Sequence, residues 1–208
     1  MKSFKKIFMF LAIIFIFLYF SSTNIGAVTL EHGELKAGGE IIIEDNQITA
    51  YEDVTVLLDN YTLTADFLLY NLTTAAIEAE DNIRLEADDF QLKADWLEGN
   101  LEKEEALFGG LVELTAPDLL VKSGLLEYNS EDNSLIFTEN PELNYIDFTA
   151  TAEKIIFDPE TDFISLHNKV AGSDGEFDFT AELVEIDTVS ETINLKDKAS
   201  IFFGSEDR

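Results

Sequence analysis

The sequence predicts an all-β protein: a long antiparallel sheet of about six two-strand units that folds over on itself. Three observations predict it. A 29-residue period runs through the chain, apolar residues recur at every second position inside each period, and turn residues recur at a fixed phase.

The period is visible in two markers. Ala65, Ala94, Ser123, Ala152 and Ala181 step by 29, with Ala37 preceding them by 28. Val54, Ile83, Val112, Pro141, Val170 and Ala199 step by 29 in the same register. Within each unit, the first strand carries the columns Tyr61/Phe90/Leu119/Phe148/Phe177 and, two residues on, Leu63/Leu92/Val121/Ala150/Phe179. The alternation, continued past the small Ala/Ser column, points Phe67, Trp96, Leu125, Lys154 and Leu183 to the same side. The second strand repeats the pattern with Ile48/Ile77/Ala106/Leu135/Ile164/Ile193, then Ala50/Ala79/Phe108/Phe137/Leu166/Leu195. Interleaved positions are rich in Thr, Asp, Glu and Lys, as a wet outer face requires. "YNLTTA", "YNSEDN" and "FDPETD" occupy one phase and supply turn chemistry. Past Val28 no stretch of ten or more residues has a period of 3.6, so no helix is expected in the mature chain. Pro141 lacks the N–H a ladder needs and marks an edge or a break.

Such units, stacked, bury one continuous apolar interior. Whether that interior is a packed core of alternating large and small residues or a lumen for an elongated apolar guest stays open at this level.

The N-terminus addresses location. Lys2, Lys5 and Lys6 precede fourteen apolar residues from Ile7 to Phe20, then small and polar ones, the layout of a secretory signal peptide cut after Ala27. The alternative is an uncleaved anchor, since 24 uncharged residues separate Lys6 from Glu31 and are long enough to span a bilayer. Residues 1–27 are therefore expected to be signal or anchor, and residues 28–208 one domain outside the cytoplasm.

Composition removes several functions. The 42 acidic against 13 basic residues, net −29, disfavour nucleic acid as a partner. They are read as a well-solvated surface or as adaptation to a saline habitat. With no Cys there is no disulfide, thiolate metal site or Cys nucleophile. His32 and His167 stand in different units without triad or metal spacing, so no catalytic residue, metal or cofactor is expected. Acid pairs such as Glu104–Glu105 are common in so acidic a chain and read as solvated turns. The Gly109–Gly110 pair signals a turn or bulge, because no Lys-Ser/Thr follows. The chain is read as a non-enzyme.

The segments "ADFLLYNLTTAAIEAEDNI" (65–83), "ADWLEGNLEKEEALFGGLV" (94–112) and "AELVEIDTVSETINLKDKA" (181–199), repeated behind a signal-like start, resemble the organic solvent tolerance (OstA-like) family of lipopolysaccharide transport, which includes LptA and the N-terminal domain of the outer-membrane assembly protein. The resemblance spans roughly residues 33–203. It departs from the family's Gly-Asn-Val, which is degenerate here as "EDV", "DNI", "GLV", "ENP", "NKV" and "DKA". What it implies is a β-jellyroll of V-shaped cross-section in the periplasm, carrying lipopolysaccharide acyl chains in an apolar groove. Its partners would be lipopolysaccharide or a similar glycolipid, and other jellyroll transport components at the inner and outer membrane. An LptC-like anchored component, or a structural envelope scaffold that binds no lipid, are the alternatives.

On that reading the groove residues are Phe67, Trp96, Phe108, Leu125, Phe137, Leu166 and Leu183. Lys154 either turns outward or meets a lipid head group at the rim. The closing "ASIFF" presents Ile201, Phe202 and Phe203 on a terminal strand whose unpaired backbone invites another strand. A head-to-tail homo-oligomer, or pairing with another jellyroll, is expected there. A tail that folds back and blunts the edge is the competing expectation.

Overall fold

The computed structural model describes residues 27–30, 33–58, 61–88, 90–131, 134–158 and 161–203. The expected signal or anchor segment up to residue 26, His32 and the final "GSEDR" lie outside the described residues.

The described residues form one antiparallel sheet and no helix. Its order is a meander in which each long strand pairs with the next, short strands sharing one long neighbour end to end. β1 (Ala27–Leu30) pairs with β2 (Gly33–Lys36). β2 and β3 (Ile41–Glu44) occupy the two halves of β4 (Gln47–Leu58). β5 (Tyr61–Asn71), β6 (Ala76–Glu86), β7 (Gln91–Asn100), β8 (Glu105–Ala116) and β9 (Leu119–Asn129) follow in sequence. β10 (Ser134–Thr138) and β11 (Glu142–Tyr145) share β9 end to end. β12 (Phe148–Thr151) and β13 (Lys154–Asp158) continue from them to β14 (Phe163–Ser173). β15 (Phe177–Asp187) pairs β14 and carries the last two strands, β16 (Thr192–Lys196) and β17 (Ser200–Phe203).

Every long strand is interrupted in the middle, and always at the same phase. The residues before the Val column have left-handed backbone: Glu52–Asp53, Asp81–Asn82, Gly110, Glu139–Asn140, Asn168–Lys169 and Asp197–Lys198. Asp, Asn and Gly tolerate that region best, which is why acids and amides recur there. Two residues on one strand face one on its neighbour, a β-bulge: 52–53 oppose Asp66, 110–111 oppose Gly124, and 168–169 oppose Glu182. In the units built from short strands the same phase is a full break. Pro141 sits in one of them, between β10 and β11, as its missing N–H requires.

This line of bulges divides the sheet into two walls. One face of both walls is buried, with Ala50, Phe137, Ile155, Leu166, Val184 and Ile186 at 0% exposure. Among the described residues nothing but the sheet itself can cover that face, so the sheet folds at the bulges and buries its own inner side. The result is an antiparallel, repeat-built β-jellyroll with a single apolar cluster running through all units. The small column lies at the crease, where Ala65 pairs Val54, Ala94 pairs Ile83, Ser123 pairs Val112 and Ala181 pairs Val170. Where two walls converge there is room for a methyl group but not for a ring, and this is why the repeat writes Ala or Ser there.

The residue following that column closes the crease from outside. Asn82 donates to the Asp66 carboxylate at 2.7 Å, and the Leu111 N–H donates to Asp95 at 2.9 Å. The Glu182 N–H reaches the Asp197 carbonyl at 2.8 Å, and Glu153 pairs with Lys169 at 2.5 Å. The opposite end of each hairpin repeats as well. Asn71, Asn100 and Asp187 accept backbone N–H groups two and three residues on, at 2.9–3.1 Å.

Candidate functional site

The inner faces of the two walls are the candidate site. Phe108, Phe137 and Leu166, expected to face inward, do so at 2%, 0% and 0% exposure. Phe67, Trp96, Leu125, Lys154 and Leu183 do not. They are half-buried on the outer face, and the residue after each one, Leu68, Leu97, Leu126, Ile155 and Val184, is buried instead. The cause is the bulge. Asp66, Asp95, Gly124, Glu153 and Glu182 each oppose two residues, so the strand turns two consecutive side chains outward and the alternation changes phase. Strict period-2 reading carried across the bulge therefore lands one residue early. The acidic and amide pair ahead of each Val was the signal that would have marked it.

The interior is filled in this structure. Phe148 stacks on Phe179 with ring centroids 5.1 Å apart, and both rings are buried. Across the mouth between the walls, the buried Tyr145 hydroxyl donates to the Thr188 carbonyl at 3.4 Å. Burial raises the Tyr145 phenol above its ordinary value, with Glu191, Asp118 and Asp187 adding to the effect. The Tyr128 hydroxyl is buried on the inner side without a hydrogen-bond partner among the described residues. Its pKa too is raised, first by burial and then by Glu104.

The interior is not covered at its C-terminal end. Ile193 in β16 and Ile201 and Phe203 in β17 continue the inner rows, yet are 36%, 47% and 77% exposed. Phe202, on the other face of the same strand, is 56% exposed. β17 pairs only β15, so its far edge carries no partner strand among the described residues. Lys154 lies opposite His167 on the outer face. His167 touches Ser165 through Nε2 at 2.9 Å, and burial followed by the Lys154 charge lowers its pKa while Glu185 opposes the shift. Among the described residues no group of three or more His, Asp or Glu side chains is placed to hold a metal ion.

No protein-family model matches the chain, and no curated protein matches it in sequence. Among solved structures it is similar to the crystal structure of LptH, described as the LptA-homologous periplasmic component of the conserved lipopolysaccharide transport device from Pseudomonas aeruginosa. That likeness covers 82% of this chain and 93% of that one at 12% identity, with a TM-score of 0.31.

Proposed function

We propose that the chain is an exported envelope component whose jellyroll interior takes the acyl chains of lipopolysaccharide or a similar glycolipid. It would hand them along a bridge between the inner and outer membranes, with other jellyroll components at either end. The observation that carries this reading is an apolar interior that runs through every unit and is left uncovered at its C-terminal end, at Ile193, Ile201 and Phe203. A lipid tail moving through water costs about 0.8 kcal/mol for each exposed CH₂, so a carrier needs an unbroken apolar lining. The unpartnered Tyr128 hydroxyl supports the same reading, as a donor for the carbonyl of an acyl linkage. Because Phe137, Ile155 and Leu166 are fully covered, a guest that starts at the uncovered C-terminal end reaches them only as the walls part and the Tyr145–Thr188 contact opens. The N-terminal segment serves as signal or as anchor, and the mass of the mature N-terminus separates the two.

The same close packing favours a second reading, a structural envelope scaffold with a solid interior. Photocrosslinkers at Leu97 and Phe137, against controls at the outward Asp66 and Glu153, distinguish them in cells. Lipid adducts confined to the inner pair support the carrier. Their absence there, together with no lipid adduct in native mass spectra of protein from its own membranes, establishes the scaffold.

A further inference from the structure

The two walls have different outer faces. On the wall formed by the hairpin halves 47–51, 67–71, 76–80, 96–100, 105–109 and 125–138, cross-strand pairing aligns two rows. One runs Tyr51, Phe67, Glu80, Trp96, Gly109, Leu125; the other runs Leu69, Glu78, Glu98, Leu107, Glu127, Ile136. The apolar members are half-buried or exposed, and the glutamates are exposed. Tyr51 and Phe67 rings lie 5.4 Å apart. Trp96 lies down on Gly109, where even a Cβ would come within 2.0 Å of the indole, so the ring spreads over the sheet instead of standing off it. A depression of about 470 Å³ between the strands is lined by Glu78, Glu98, Glu105, Leu107 and Glu127, among others.

No strand residue of this face from Gln47 to Thr138 is a lysine or arginine; Lys103 is exposed in the turn between β7 and β8, at the end of the wall. The bases of the same strands, Arg84, Lys93 and Lys122, are on the other wall, aligned in one cross-strand row with Lys36 of β2. There they pair with Glu34, Glu86 and Glu113. Glu78, Glu80, Glu98, Glu105 and Glu127 have no ion pair among the described residues, and Glu78 stands directly opposite Glu98. Like charges set opposite each other across a ladder destabilise a sheet. A face that combines them with half-exposed aromatic side chains is built for a charge of the other sign.

We infer that this face docks a basic amphipathic segment of another protein. Its apolar side chains would lie over Phe67, Leu69, Trp96 and Leu107, and its lysine or arginine groups would meet Glu78, Glu80, Glu98 and Glu127. Unpaired carboxylates supply charge-assisted hydrogen bonds to such groups, and the Tyr51 and Trp96 rings supply cation–π contacts. The inference does not depend on what fills the interior.

Trp96 is the single tryptophan of the chain, so its emission reports this face alone. The full chain is titrated with a Lys/Leu amphipathic peptide, with a Glu/Leu peptide of the same apolar pattern, and with a neutral oligosaccharide. A saturable blue shift with the Lys/Leu peptide only, weakening with salt, is expected. The triple variant E78Q/E98Q/E127Q should bind about 10-fold more weakly, since it removes three surface ion pairs to the peptide. E34Q/E86Q/E142Q, with the same change in net charge on the other wall, should bind like the unmodified chain. Equal weakening by both triples would reduce the effect to net charge and overturn the inference. So would an unchanged Trp96 spectrum, or a response to the oligosaccharide without one to the peptide, which would assign the aromatic row to sugar stacking.

Discussion

Leu125 and Leu126 are neighbours of identical chemistry that the bulge sends to opposite faces, and they provide the sharpest test of the fold. Leu126 is 1% exposed and lies between Phe108 and Phe137 in the ladder; Leu125 is half-buried on the outside. Truncating a fully buried leucine to alanine removes its transfer energy and leaves a cavity, at a cost of ~2–5 kcal/mol. A leucine that has surrendered only about half its surface loses roughly 1 kcal/mol, half of the ~1.5–3 kcal/mol for complete burial. The two variants should therefore differ by about 2 kcal/mol, or ~4–8 °C in melting temperature at ~2–4 °C per kcal/mol for a chain of this size. Urea unfolding followed by circular dichroism measures both, and an unchanged slope confirms that stability alone has moved. If Leu125→Ala costs as much as Leu126→Ala, or more, the alternation runs straight through the crease and the two-wall description is wrong.

Three further outcomes are expected. Asn140→Val places a β-branched side chain in left-handed backbone (φ 60°) and should cost about 1–2 kcal/mol in urea unfolding; no loss would mean the crease does not require that geometry. His167 is held neutral in the fold by burial and by Lys154, so the unfolded chain takes up its proton first. Its contribution to stability is complete above the ordinary value of 6.5 and is lost as pH falls through that value toward the lower folded one. Lys154→Met should move the His167 titration upward, read from its ring resonances by NMR, and an unmoved titration rules Lys154 out as a cause. Truncation after Lys198 deletes β17 and, on the proposal that this edge joins another jellyroll, should abolish concentration-dependent sedimentation of a chain whose circular dichroism is retained. Unaltered association would place the joint elsewhere.

Much of this architecture was legible in the sequence because the unit repeats. A column such as Ile48/Ile77/Leu135/Ile164 averages out the accidents of single positions, and those side chains are buried as expected. The wall containing Phe67 and Trp96 was misjudged for a physical reason. Alternation is a local rule that holds only while each residue faces one partner, and Asp66 and Asp95 each face two. The degenerate "EDV" and "DNI" triplets carried the missing information as backbone conformation, not as side-chain hydrophobicity. The face bearing Glu78, Glu98 and Leu107 was hidden for another reason. Its residues come from different strands, and only the register brings them together.

The meander has a consequence for how the molecule comes apart. Each strand bonds only to strands of its own or the adjoining unit, so no unit is held by a distant one except through the shared interior. Protection of backbone amides from exchange should therefore grade along the chain instead of dividing it into a stable half and a loose half. The most slowly exchanging amides should be those of β8 and β9, which have neighbours on both sides for several strands. Exchange should quicken toward β3 at one end and fastest of all toward β17, whose inner face is bare. The chain would then behave as a zipper with two open ends, fraying where it is most exposed and holding in the middle.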